Sequence, residues 1–399
     1  MSLDFPYYPA ARDSYNPPKA YAGYRRDAPV KKVRLWNGQH VWLVTRHADI
    51  IKVLSDHETF SQKPAPGYPT VSAGRGSQVT QEPATFLRMD PPDHTVRRRM
   101  ITADFSVKRV NALRPRITEI ANSLLDRMLA KVSPADLLAD FAVGLPTTVI
   151  TDYLGLPQED HAFIHEKTET KFDMRLDGAT NRQAQVDLHA YLHEQFRRRQ
   201  AQPDQDDLMG KYLREFIRTG LLSTDEVVGI VELMVTAGHE TTVNMIALGA
   251  LLLMRNPDQM EILRNDRSLM ASAVNEMLRH LAVNDKATGR LCVKDTEIAG
   301  QKIRAGEGVF ASLTSGSRDE SVFEDADKFD VTRNRPDHLA FGAGAHQCLG
   351  ATLAKAEMDI AFNLLLDRLP ALQLAVPFEQ LQYKHDAVVF GLKALPVRW

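Results

Sequence analysis

Cysteine is almost missing from this chain, with two residues, Cys292 and Cys348, among 399. That scarcity excludes a disulfide framework and leaves no Cys-x-x-Cys pair for zinc or an iron–sulfur cluster. Any metal has to arrive with its own cofactor. An excess of charge is missing too: 49 basic against 51 acidic side chains give a formal net charge of −2, so no polyanionic partner such as nucleic acid is indicated. Long apolar runs are also lacking. Met245 to Met254 is the longest and falls far short of the roughly 20 residues of a membrane span. Met1 to Tyr24, interrupted by Asp4, Pro6, Pro9, Arg12 and Asp13, has no signal-peptide stretch. A cytoplasmic protein without an anchor is expected. No linker-like segment, charge block or internal repeat divides the chain, so residues 1–399 are read as a single domain.

What is present is helical pattern with strand pieces near each end. Val33 to Trp36 and His40 to Val44 flank Asn37-Gly38, a strong hairpin turn, after which Thr45 is expected to cap a short helix carrying Ile50, Ile51, Val53 and Leu54. Residues 62–88 hold enough prolines, glycines and polar breakers to read as a lid-like loop. Helical periodicity runs from about residue 92 to 280. Beyond Pro370, short apolar segments such as Val388-Val389-Phe390 read as strands.

Four groups of residues carry chemistry. Phe341-Gly342-Ala343-Gly344-Ala345-His346-Gln347-Cys348-Leu349-Gly350 sets one cysteine in a glycine-rich turn just before a long apolar-periodic helix. Backbone there can bend tightly and approach a flat ligand, and helix N-terminal amides can keep the sulfur ionised. Ser223, with Glu226 completing a capping box, starts a helix of roughly 30 residues, or about 45 Å. Ala237-Gly238-His239-Glu240-Thr241-Thr242 lies in its middle, where Thr hydroxyls can take the i−4 carbonyl. Glu276-x-x-Arg279 can pair on one face of a helix whose apolar side is Val274, Met277, Leu278 and Leu281. His94 and Arg98 stand one turn apart after Pro91-Pro92-Asp93.

The cysteine segment resembles the haem-binding signature of the cytochrome P450 family, Phe-x-x-Gly-x-His/Arg-x-Cys-x-Gly, with Phe341, Gly344, His346, Cys348 and Gly350 at its fixed positions. The resemblance runs from about residue 33 to 393. It implies a mainly α fold with small β-sheets, in which haem b (iron protoporphyrin IX) sits between a long distal helix and the Cys loop with its proximal helix. Cys348 is then the metal ligand, and His94, Arg98, Arg290 and His346 meet the propionates. Thr241 and Glu240 become the distal hydroxyl and the acid that supplies protons. Glu276, Arg279 and Arg333 become a structural triad supporting the haem loop.

The activity implied is a monooxygenase, inserting one oxygen atom of O2 into a hydrophobic small molecule, in a monomer. With no fused redox domain and no Gly-x-Gly-x-x-Gly fingerprint, electrons are expected from a ferredoxin and an NAD(P)H-dependent ferredoxin reductase. Substrate contacts are expected from 62–88, 165–185, Leu233 to Thr241, Val283 to Ala287, Phe310 to Leu313 and Val388 to Leu392, with Lys286 a candidate partner for a substrate carboxylate or else a solvated lysine. Arg97, Arg98, Arg99, Lys108, Arg109, Arg114 and Arg116 surround a single acid, Asp104, and a ferredoxin is expected to dock on this basic stretch. Phe86 to Pro92 and Val243 to Gly249 also resemble the fungal nitric-oxide-reducing branch. That branch lacks the acid before the distal threonine, which here is Glu240. Peroxide-dependent relatives and a non-enzymatic haem sensor are the remaining alternatives.

Overall fold

Apolar side chains recurring every three to four residues over the middle of the sequence produce the helices, and the strands fall mostly before residue 62 and after residue 288. The computed structural model describes residues 15–81, 85–201, 205–284, 286 and 288–399. The first part contains α1 (Ala20–Asp27), β1 (Val30–Arg34), β2 (His40–Val44), α2 (His47–Ser55), β3 (Phe60–Ser61), α3 (Ala73–Gln81) and α4 (Asp93–Thr102). There follow α5 (Val107–Leu129), β4 (Ala135–Asp136), α6 (Gly144–Leu154), α7 (His161–Phe172), α8 (Gly178–Gln200), α9 (Leu208–Tyr212) and α10 (Thr224–Arg255). The rest comprises α11 (Pro257–Asn265), α12 (Met270–Leu281), β5 (Gly289–Cys292), β6 (Thr296–Ile298), β7 (Gln301–Ile303), β8 (Gly308–Ala311), α13 (Leu313–Gly316), α14 (Ala351–Arg368), β9 (Gln373–Leu374) and β10 (Pro396–Arg398).

The expected hairpin forms, with Val33 opposite Val41 and Gly38 at φ +83° in the turn. It edges a five-stranded sheet of order β1-β2-β8-β5-β3, in which β2 and β8 run parallel. Three expectations need correction. Thr45 does not cap α2: its hydroxyl donates to the Pro29 carbonyl at 3.0 Å, and Arg46 occupies the boundary without a side-chain cap. Residues 62–88 are not all loop. Ser72 Oγ accepts from the Arg75 amide at 3.2 Å and opens α3, and Phe86–Arg88 forms a 3-10 turn. Val388 to Phe390 is buried but is not a strand, because its amides go singly to Phe172 and Val283 carbonyls instead of to a ladder.

The long helix behaves as predicted. Ser223 Oγ accepts from the Glu226 amide at 3.2 Å while the Ser223 amide donates to Glu226 Oε2 at 2.8 Å, and α10 then runs for 32 residues. It is apolar on nearly every side because α6, α8, α12 and α14 pack around it. Each fully buried side chain such as Val231, Ile246 or Leu251 contributes roughly 1.5–3 kcal/mol before entropy is counted. Gly249 permits the approach of α14, since a Cβ there would lie 2.5 Å from Phe362 Cζ. None of the helices among the described residues is long and apolar enough to cross a membrane.

Candidate active site

A cavity of about 360 Å³ separates the middle of α10 from the loop before α14. Larger hollows of about 880 Å³ beside α8 and about 720 Å³ between α5, α6 and α9 open to solvent and hold no thiol. Cys348 borders the central cavity together with Phe341, Gly344-adjacent Ala343, His346 and Gly350. Its loop is fixed by the Cys348 amide donating to the Phe341 carbonyl at 2.9 Å and the Gly342 amide to the Leu339 carbonyl at 2.8 Å. Gly344 is required twice over, by φ +71° and because a Cβ would fall 2.4 Å from the Leu54 carbonyl oxygen. Gly350 borders the cavity with open space where a Cβ would be.

Sequence reasoning expected amides to keep the Cys348 sulfur ionised. In the chain alone, burial instead pushes the thiol above its ordinary value, and the Gly350 amide and the Arg98 charge only offset this. A bound cation is what would complete ionisation. Cys292 is a different case, buried in β5 with its thiol donating to the Lys294 carbonyl and pushed up by burial.

The four expected cationic residues gather on one rim. His94 and His346 lie with ring centroids 4.2 Å apart. Both nitrogens of His94 and Nε2 of His346 are buried without a hydrogen-bond partner. Burial, reinforced by Arg290, His94 and Arg98, lowers the His346 pKa to about 2, and burial and then Arg98 lower that of His94. Desolvation lowers Arg290, which gives Nη1 to the Gly289 carbonyl, and also Arg98, which gives Nη2 to the Gln347 carbonyl at 2.6 Å. Leaving such buried groups unanswered costs about 1–3 kcal/mol each, so the rim suits a ligand bearing carboxylates. A flat dicarboxylate carrying a thiophilic metal matches this donor set.

Above the cavity, Thr241 borders the space and its hydroxyl donates to the Ala237 carbonyl at 3.0 Å, the i−4 bond anticipated from sequence. Glu240 is buried and faces a different side of α10. Its Oε1 accepts from Asn244 Nδ2 at 3.0 Å and lies 3.5 Å from Lys384 Nζ, and its Oε2 has no partner. Burial opposes the Lys384 ammonium, yet Glu240 and Glu169, the latter at 2.7 Å, hold its pKa above the ordinary value. On α12, Arg279 makes a fully buried fork to Glu276 at 2.7 and 2.8 Å, and Arg333 Nε reaches Glu276 Oε2 at 3.3 Å. Arg279 also ties the carbonyls of Ser317 and Ala326.

Residues 160–372 match the sequence profile described as Cytochrome P450. Cytochrome P450-SU2 of Streptomyces griseolus is 41% identical over 374 residues, covering 94% of this chain and 91% of that protein. The Vitamin D3 dihydroxylase of the same organism is 38% identical over 401 residues, covering 100% and 98%. The crystal structure of cytochrome P450 MoxA from Nonomuraea recticatena (CYP105) superposes with a TM-score of 0.92 at 38% identity, covering 100% of this chain and 99% of that one. The chain belongs to the cytochrome P450 family.

Haem is therefore implied, the protein is a P450 monooxygenase, and its helical architecture with small sheets is that of its structural neighbours. Several polar groups around the P450 cavity had no sequence signal. Lys171 and Glu232, 2.8 Å apart, both border it from α7 and α10. Glu357 of α14 also borders it, its carboxyl pushed well above the usual range by burial. Arg88 gives Nη1 to Tyr68 Oη at 3.2 Å. Lys286 is not a freely solvated lysine, since its ammonium donates to the carbonyls of His385 and Ala387; neighbouring Asp285 and Ala287 lie outside the described residues. The basic stretch is also thinned. Arg97 pairs with Glu226, Arg114 with Asp359, and the exposed Arg116 with Asp152, while Arg99, Lys108 and Arg109 are exposed as well.

Proposed function

We propose that this P450 is a cytoplasmic, monomeric, single-domain haem-thiolate enzyme that binds haem b and oxygenates a hydrophobic small molecule. Its electrons come from a ferredoxin and an NAD(P)H-dependent ferredoxin reductase. The observation that carries this reading is the convergence of the Cys348 thiol and the partnerless buried Nε2 of His346 on one cavity beneath Thr241, with the equally partnerless His94 ring 4.2 Å behind His346. Haem, when bound, supplies the redox-active iron that activates dioxygen.

The protein's own share can be stated residue by residue. Cys348 would supply the thiolate that holds the haem iron, with the Gly350 amide and the Arg98 charge steadying it. His94, Arg98, Arg290 and His346 would hold the two propionates. The Glu276–Arg279–Arg333 triad acts on the haem loop only as support. Thr241 presents its hydroxyl to the cavity while donating it to the Ala237 carbonyl one turn back. Glu240 holds the incoming proton; its Oε1 is reached from the half-exposed Glu169 by way of Lys384, and the carboxyl passes the proton through water toward Thr241 Oγ1. Apolar walls from Leu233, Ala237, Val283, Val388 and Val389 exclude bulk water and orient an apolar substrate.

Thr241→Ala tests the proton route. With ferredoxin and reductase supplied, reductant consumption persists while product per reductant falls about tenfold or more and peroxide rises in its place. Unchanged coupling contradicts the role. Direct reduction of nitric oxide by NADH, indifferent to Thr241→Ala and Glu240→Ala, replaces the whole reading with nitric-oxide reduction.

A further inference from the structure

Away from the haem cavity, two helices bring three metal-ligating atoms together. His189 and His193 stand one turn apart on α8, on the same face. Asp225 projects from the first turn of α10. His189 Nε2 and His193 Nε2 each lie 3.1 Å from the same oxygen, Asp225 Oδ1. Ligand atoms on a tetrahedral ion with bonds of about 2.0–2.1 Å stand about 3.3 Å from one another, so the spacing already approximates a coordination shell. The second nitrogen of His189 is equally suited. Its Nδ1 lies 2.9 Å from Glu232 Oε2, a buried carboxylate whose other oxygen is held by Lys171 at 2.8 Å. A histidine giving Nδ1–H to a carboxylate presents the Nε2 lone pair outward and becomes a more basic ligand.

We propose that His189, His193 and Asp225 form a binding site for a divalent cation of the zinc class, oriented from behind by Glu232. Two imidazoles and one carboxylate select a borderline-soft ion over calcium or magnesium, which favour all-oxygen shells. The fourth position falls to water, because both histidines line the open hollow of about 880 Å³ beside α8. Arg197, which also lines that hollow, is neutralised by Glu194 at 2.6 Å. An ion there would fasten α8 to the start of α10. Through Glu232 and Lys171 it would also steady one wall of the haem cavity. None of these groups belongs to the haem ligands or to the proton route.

The test uses haem-loaded protein stripped with a chelator and titrated with Zn2+, followed by calorimetry and by the metal-to-haem ratio after dialysis. Wild type is expected to bind one ion per chain and to gain a few degrees in Tm. His193→Ala and Asp225→Asn, on different helices, should each weaken binding about tenfold or more and remove the Tm gain, and His165→Ala should change neither. A second buried group, His165, His239 and Glu240, also has three potential ligands close together, which makes His165→Ala the discriminating control. Absence of one-to-one binding in the wild type overturns the site. So does binding that survives both His193→Ala and Asp225→Asn, or that is lost in His165→Ala instead.

Discussion

The loop under the haem cavity and the helices over it reach comparable order by different means. Below, one continuous run from Phe341 to Gly350 places the thiol, and its geometry follows from local terms: a positive φ at Gly344, an amide bond to Phe341, and the start of α14. Above, Lys171 of α7, His189 of α8, and Asp225 and Glu232 of α10 meet, as do Glu240 of α10 and Lys384 near the C-terminus, only because those elements pack together. Local chemistry therefore makes the lower face identifiable from a single sequence. The upper face, where the polar network meets the substrate space, depends on long-range assembly.

The comparison is most severely tested beneath the loop. Arg279→Met leaves the Glu276 carboxylate buried with only Arg333 as a charged partner beside the Asp330 amide, and frees the carbonyls of Ser317 and Ala326. Breaking such a buried pair costs about 3–5 kcal/mol, so the variant should lose haem and unfold at lower denaturant. An unchanged denaturation midpoint would mean that the triad does not hold the lower face.

Acid should weaken both faces together. Burial, with help from His165 and Lys384, holds His239 above the cavity neutral down to about 3. Burial, with Lys355 and Arg279, holds His338 below it neutral down to about 4. Both folded values lie under the unfolded value of about 6.5, so below that pH the unfolded chain takes protons that the folded chain refuses. Stability is thus full above about pH 6.5 and falls on acidification, by about 1.4 kcal/mol per pH unit for each group. Denaturant titrations at successive pH values should show this slope, and His338→Gln should make it shallower. A flat profile between pH 7 and 5 would contradict the neutral assignments.

Much of the lower face was legible because its signals are short-range. Cys348, the glycines and His346 fall within ten consecutive residues, and Glu276 and Arg279 share one helix turn. The capping box at Ser223 and the hydroxyl bond of Thr241 were equally local. Thr45 was misread because a hairpin carbonyl competed for its hydroxyl, and α3 was missed because polar and glycine residues conceal a helix that is held against α8. Lys286 and the Arg97 to Arg116 stretch show the same limit from the other side. Composition reported free cations, but distant carboxylates pair Arg97, Arg114 and Arg116, and distant carbonyls hold Lys286 and Arg98.

The smallest effect expected concerns the cations that remain exposed. Lys108→Glu with Arg109→Glu should slow reduction by ferredoxin a few-fold, and added salt should narrow the gap to wild type, as screening over about 8 Å requires. Stopped-flow reduction that ignores both charge reversal and salt would move the docking site elsewhere.

The central claim is that Cys348 supplies a thiolate to haem iron. The reduced protein exposed to carbon monoxide answers it directly. Wild type and Cys292→Ser should both give the strongly red-shifted absorption band of a thiolate-ligated carbonyl, and Cys348→His should bind haem without that band and without turnover. A wild-type carbonyl spectrum of the imidazole-ligated kind, or a thiolate band that persists in Cys348→His, would contradict the account.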